Sequence, residues 1–191
     1  SAASDVYKRQ VLIADVLDVP DFTAKIKAAE AEHGKIDILV NNAGVSGNKL
    51  PTEEINEEIY DQMFGIQVRG SFFATKAVLA GMKARGQGSI IMISSINQTN
   101  ATPNLAHYVS SKGGVMMLAR GMALELANQG ITVNLVAPGT ILTDLNRENF
   151  ADEEFKRQKL SLIPMERLGM PDDVAGAVLY LASDEASYIT G

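Results

Sequence analysis

Tyr108 and Lys112 stand four residues apart in the tract AHYVSSKGG, residues 106–114, which otherwise consists mostly of small side chains. In a helix that spacing puts both on one face, one turn apart, within reach of a common ligand. A phenol with its ordinary pKa of about 10 is a poor base at neutral pH, but a nearby ammonium stabilises the phenolate and brings proton exchange into range. Ser95 follows the apolar run SIIMIS, thirteen residues before Tyr108. Its hydroxyl could hold a substrate carbonyl or alcohol while the tyrosine exchanges the proton. No side chain supplies hydride, so redox chemistry at this group would need a cofactor. The tyrosine–lysine spacing alone is equally compatible with two long side chains on the outer face of a helix.

Those residues need a scaffold, and the chain alternates short apolar runs with longer helical patterns, as a parallel sheet covered on both faces does. Residues 11–14, 36–40, 89–94 and 131–137 are rich in β-branched residues and nearly continuous in apolarity, which predicts four buried strands. Helices are expected over 21–33, ending at Gly34, from a Thr52 cap through to about 86, over 108–128, and over 172–183 behind Pro171. Three strand ends then carry polar or glycine-rich segments to one sheet edge: NNAG with Asn41, Ala43 and Gly44, ISS with Ser94 and Ser95, and VAPG with Pro138 and Gly139. In open α/β sheets ligands bind at that edge. Read singly, each segment is also an ordinary polar turn. The charged stretch 142–169, with Phe150, Phe155, Leu160, Leu162 and Met165, reads as a lid over a cleft or as a surface helix pair.

Composition narrows the classes. The 191 residues are 46 % hydrophobic and 21 % charged, with a net charge of -6, so nucleic acid is not an expected partner. No apolar run reaches the roughly 20 residues of a membrane span, no signal-peptide pattern opens the chain, and the expected location is the cytoplasm. Zero cysteines exclude thiolate chemistry, and His33 and His107 are too far apart in sequence to suggest zinc, so no metal is expected.

Taken together, the motifs resemble the short-chain dehydrogenase/reductase family of the single-domain type: ADV at 14–16, DILVNNAG at 37–44, Ser95, YVSSK at 108–112, VNLVAPGTILTD at 133–144 and ERLGMPDDVAGAVLYLASDEASYITG at the end. The resemblance covers 11–191 and implies a Rossmann-like, doubly wound α/β fold, with NAD or NADP as cofactor and an alcohol or ketone as substrate. It implies Tyr108 as acid/base, Lys112 on the nicotinamide ribose and Ser95 on the reacting oxygen. Asp15 and Val16 would meet the adenine, Asn41, Ala43 and Gly44 would border the adenosine, and Pro138, Gly139, Ile141 and Thr143 would line the nicotinamide. Where the family usually has an asparagine supporting a water relay to the lysine, this sequence has Gln67 in IQVRG; a relay through the backbone carbonyl tolerates that change. The family usually associates through the helices at 52–85 and 108–128, so a homodimer or homotetramer is expected of the full-length protein.

Against the family pattern, the glycine-rich turn for the pyrophosphate, the first two strands and the last strand are missing, and the decapeptide SAASDVYKRQ at 1–10 reads as a foreign junction. Two strands absent between 11–14 and 36–40 leave a gap of roughly 14 Å, at about 4.8 Å per strand, so the first run is expected to mispair or detach. The parent is then an NAD(P)-dependent oxidoreductase interconverting a carbonyl and a secondary alcohol, while the 191-residue chain binds cofactor poorly and turns over little. The alternative is a catalytically silent scaffold that keeps the fold.

Overall fold

Three parallel strands, β1 (Ile38–Asn41), β2 (Gly88–Ile93) and β3 (Ile131–Val136), hydrogen-bond in the order β1-β2-β3. Ile38 lies opposite Ser89, and Gly88 opposite Ile131. The computed structural model describes residues 10–191, so the junction expected at 1–10 falls almost wholly outside the described residues. Parallel pairing requires each connection to cross over the sheet, and helices supply the crossings. They are α1 (Val19–His33) before β1, α2 (Glu57–Phe64) and α3 (Gly70–Arg85) between β1 and β2, and α4 (Ala106–Leu126) between β2 and β3, followed by α5 (Glu153–Leu160) and α6 (Pro171–Ala182).

The two sheet faces follow from strand alternation. Ile90, Met92, Ile131 and Val133 pack with Val78 and Met82 of α3 and with Val115, Ala119, Met122 and Leu126 of α4 in one core. Ser89, on the other face of β2, donates from Oγ to the Leu181 carbonyl at 3.1 Å, which places α6 on that opposite face. The sheet is thus covered on both sides, the doubly wound α/β arrangement the sequence pattern predicts. Along the outer edge of β3, Val133 N donates to Thr190 Oγ1 at 3.0 Å and Gly191 N to the Val133 carbonyl at 2.9 Å.

Several expectations need correction. Residues 11–14 form no strand, and Val11 and Ile13 are each 85 % exposed. Of the two expected outcomes, detachment is the one observed. Leu12 and Ala14 line an apolar cleft of about 310 Å³ together with Leu39 and Val40 instead of pairing with β1. Thr52 opens only a single turn, and α2 is capped instead by Asn56, whose Oδ1 accepts from Ile59 N at 2.9 Å. Extended backbone at Ile55 separates the two caps and stops the first from propagating. Residues 57–85 do run on as one helical rod, but Gly65–Arg69 widen into a π-turn. The stretch 142–169 carries one helix, α5, rather than a pair, with Phe150 buried against Phe155 at 5.3 Å between ring centroids. Among the described residues no helix is long and apolar enough to cross a membrane.

Candidate active site

Helix α4 begins at Ala106, two residues earlier than the sequence suggests, so Tyr108 lies in its first turn and Lys112 one turn later. Tyr108 is half-buried and its hydroxyl bonds no described residue. Lys112 is buried, its Nζ donating to the Ile93 carbonyl at the end of β2 at 3.1 Å and lying 5.8 Å from the Tyr108 ring centroid. Burial lowers its pKa to about 8, because the charged form loses hydration that one carbonyl only partly replaces. A Cβ built on Gly44 would lie 3.7 Å from Lys112 Nζ, so the NNAG strand end passes directly beside the ammonium. Lys112 therefore joins the ends of β1 and β2 to the tyrosine.

The second strand end turns sharply. Ser95 Oγ accepts from Asn97 N at 3.2 Å and caps the turn Ile96–Gln98, which leaves its O–H free to donate. Ile96 N donates to the Pro138 carbonyl at 3.1 Å, tying this turn to the third strand end. Ser95, Gly139 and Ile141 line one cleft of about 710 Å³ whose far wall is the 159–169 segment. Tyr108 and Lys112 are not among the lining residues. The wall is pinned where it ends, at Gly169, which pairs with Ile141, and the loop after Ile141 is held by Asn146, which accepts from Thr143 N through Oδ1 and donates through Nδ2 to the Ile141 carbonyl, both at 2.8 Å. Asn146 escapes sequence reasoning, because an asparagine in a polar loop carries no signal of which backbone groups it will satisfy.

At the end that the resemblance assigns to the adenosine, Val16, Asn41 and Ala43 share the 310 Å³ cleft, while the exposed Asp15 accepts from Leu17 N at 2.9 Å in a local turn. The Asn41 amide is committed to the interior, donating to Thr75 Oγ1 at 3.1 Å. The π-turn explains how the Asp15–Val16 loop comes this close. Gly70 N donates to the Gly65 carbonyl, stacking two glycines on one face, and Val16 and Leu17 lie against that face.

Gln67, at the centre of the π-turn, is 1 % exposed. Its Nε2 donates to the Val45 carbonyl at 2.9 Å and contacts Met63 Sδ at 2.8 Å, while its backbone carbonyl accepts from Ser71 Oγ at 2.6 Å. The longer amide thus reaches past the helix to hold the loop after NNAG. His107, which the sequence offers only as a lone histidine, is buried beneath that loop, and neither ring nitrogen has a partner among the described residues. No cluster of metal-ligating side chains occurs among the described residues.

The whole chain, residues 1–191, matches the family model described as enoyl-(acyl carrier protein) reductase. It is 38 % identical over 183 residues to the inactive 2-(S)-hydroxypropyl-CoM dehydrogenase 2 of Xanthobacter autotrophicus, covering 93 % of this chain and 79 % of that protein. It is also 38 % identical over 178 residues to the 3-oxoacyl-(acyl-carrier-protein) reductase of Staphylococcus aureus, covering 93 % of this chain and 71 % of the reductase. A gluconate 5-dehydrogenase from Burkholderia cenocepacia, solved in complex with NADP and tartrate, superposes with a TM-score of 0.88 at 36 % identity, over 93 % of this chain and 69 % of that one.

Proposed function

The chain belongs to the short-chain dehydrogenase/reductase family, and on that premise we propose that it is an NAD(P)-dependent oxidoreductase interconverting a carbonyl and a secondary alcohol, with Tyr108 as general acid/base. The observation that carries this reading is the buried Lys112 ammonium, one turn from Tyr108 and bonded to the end of β2. That places a cation on the same helix face as the phenol, where both reach a common ligand. In the reductive direction the Tyr108 O–H gives its proton to the substrate oxygen, and in the oxidative direction the phenolate takes it back. The Ser95 O–H, free of internal partners, holds that oxygen in either direction.

The donor set suits a nicotinamide cofactor. Lys112 Nζ spends one N–H on Ile93 and has two left for ribose hydroxyls, and a Cβ on Gly139 would meet nothing within 4 Å. Asp15 and Val16 would hold the adenine, Asn41, Ala43 and Gly44 the adenosine side, and Pro138, Gly139, Ile141 and Thr143 the nicotinamide. When bound, the cofactor supplies or accepts the hydride. Gln67 serves a proton relay through its backbone carbonyl, which accepts from Ser71 Oγ at 2.6 Å. Among the described residues no glycine-rich turn faces the pyrophosphate position, so weak cofactor binding by this chain is part of the reading. Location in the cytoplasm and self-association belong to it as well. An apolar groove holding Phe64, Val68, Phe72 and Phe73, together with exposed Met117 and Leu124, supports association through α3 and α4.

The test is turnover of secondary alcohols and ketones at millimolar NAD(H) and NADP(H). Tyr108→Phe is expected to lower it by about 10³-fold, within the range for a removed acid/base, while leaving cofactor binding unchanged; an unchanged rate refutes the assignment. Absence of turnover across a broad panel, in a chain that binds cofactor, favours a catalytically silent scaffold instead. That reading is made concrete by one relative whose name describes it as inactive.

A further inference from the structure

The cleft that Ser95 borders has a charge opposite to that of the molecule. The chain carries 23 acidic against 17 basic residues, yet the cleft is lined by Lys49, Lys159 and Arg167 with Asp173 as its sole acidic residue. Asp173 is already engaged: both its oxygens accept from the Arg167 guanidinium, at 2.8 and 3.0 Å, and one also accepts from Met170 N at 2.7 Å. That leaves Lys49 and Lys159, neither of which forms an ion pair among the described residues. They come from different walls. Lys49 sits on the loop after NNAG, which docks through Leu50 N on the Asn104 carbonyl at 2.9 Å. Lys159 sits at the end of α5, its Nζ 5.5 Å from the Phe155 ring centroid, which restrains the side chain without neutralising it. The same cleft is lined by the polar Asn97, Thr102 and Thr140 and by the apolar Leu162 and Met165, which are 77 % and 72 % exposed.

Two lysines without ion-pair partners among the described residues, lining one cleft of mixed polarity from separate elements, match an amphipathic anion. We propose that the substrate is an oxyanion-bearing alcohol or ketone, with a carboxylate or phosphate held by Lys49 and Lys159 and its carbon skeleton on Leu162 and Met165. The inference rests on the cleft being the site of the proposed oxidoreduction, and it names the substrate class for that site. Solvated lysines that merely cover a surface would show no preference for a charged ligand over its neutral analogue.

Binding separates the two. Calorimetric titration of the chain at low ionic strength compares 3-hydroxybutyrate with 3-hydroxybutyramide, and glycerol 3-phosphate with glycerol. At least one anion is expected to bind about fivefold tighter than its neutral partner, as two partly solvated ion pairs allow, and the responding pair tells carboxylate from phosphate. The preference is expected to vanish in Lys49→Gln/Lys159→Gln, to return in Lys49→Arg/Lys159→Arg, to persist in the distant control Lys27→Gln, and to fade at about 0.5 M salt. Equal binding within both pairs, a preference that survives the double glutamine variant, or no binding of any probe overturns the proposal. Nicotinamide turnover is followed separately. Turnover that favours neutral alcohols overturns the anion site but leaves the oxidoreductase, whereas charge-selective binding without turnover, in a chain that titration shows to bind NAD(H) or NADP(H), leaves the anion site and overturns the oxidoreductase.

Discussion

Replacing Lys112 by Met is expected to stabilise the protein. The lysine is 6 % exposed, and burial lowers its pKa from 10.5 to about 8. At about 1.4 kcal/mol for each tenfold change in proton affinity, keeping this ammonium charged costs the folded state roughly 3 kcal/mol. The sign of the pH dependence follows. The unfolded chain keeps the proton up to about pH 10.5, whereas the folded chain releases it near pH 8. Stability therefore carries the full penalty below about pH 8, recovers it as pH rises from 8 to 10.5, and changes no further from this source above that. Methionine keeps the length of the stem and fills its space, but strands the Ile93 carbonyl at a cost of about 1 kcal/mol. The net expectation at pH 7 is a gain of about 2 kcal/mol, or roughly 4–8 °C in Tm for a chain of this size. Urea unfolding of both proteins at intervals from pH 7 to 10.5 measures it. The variant is expected to be the more stable at neutral pH, with the difference closing as pH rises through the window. A variant less stable than the parent at pH 7, with a gap that stays flat to pH 10.5, would show that Lys112 is not held charged against its environment.

Three further outcomes are expected. Gln67→Asn should alter turnover by less than about tenfold, roughly 1.4 kcal/mol, since the relay position is a backbone carbonyl; a large gain in kcat would show that glutamine impairs it. Gly47 has φ +67°, and a Cβ there would lie 2.7 Å from Met63 Cε and 2.9 Å from His107 Nε2. Gly47→Ala should therefore cost about 2–3 kcal/mol in urea unfolding, combining left-handed strain with displacement of two buried side chains, and a loss below about 0.5 kcal/mol would refute this. Residues 11–14 donate no backbone hydrogen bond among the described residues, so hydrogen exchange should find their amides nearly unprotected beside those of β2; protection above about 10²-fold would mean that the run pairs after all.

Three of the four strands and most of the helices were legible because local patterns decide them. Ile90 and Val133 sit in β-branched runs that form buried strands, whereas the run at 36–40 forms a strand only from Ile38, at the sheet edge, where Ile38 and Val40 are 46 % and 39 % exposed rather than buried as expected. Residues 11–14 carry the same pattern and fail, since a strand needs a partner and sequence apolarity does not say whether one is in reach. Thr52 and Asn56 are equally good caps on paper, each followed by two glutamates, and the choice fell to the backbone of Ile55. The site was legible as a set of strand ends rather than as side-chain directions. Asn41 belongs to the NNAG motif, yet its amide points inward to Thr75. The roles of Asn146 and the separate approach of Lys49 and Lys159 depend on loops meeting across the sheet edge, which no local spacing encodes.

The depth of Lys112 is the informative exception, because the tract around it does encode that depth once its small residues are read as packing surface. Ser111 is fully buried, a Cβ on Gly114 would come within 3.3 Å of Val68 Cγ2 in the π-turn, and one on Gly113 within 3.6 Å of the Gln98 carbonyl. Small side chains on both flanks of the lysine let α4 settle onto the π-turn and onto the turn after Ser95 together. A helix seated that closely draws the lysine stem under the strand ends, where the Ile93 carbonyl is the partner its ammonium reaches. Larger residues at 111, 113 or 114 would lift the helix, rehydrate the ammonium and return its pKa toward the ordinary lysine value. The serines and glycines of YVSSKGG are thus what turn a surface spacing into a buried cation beside a phenol, and the same close packing is why that cation weakens the fold it sits in.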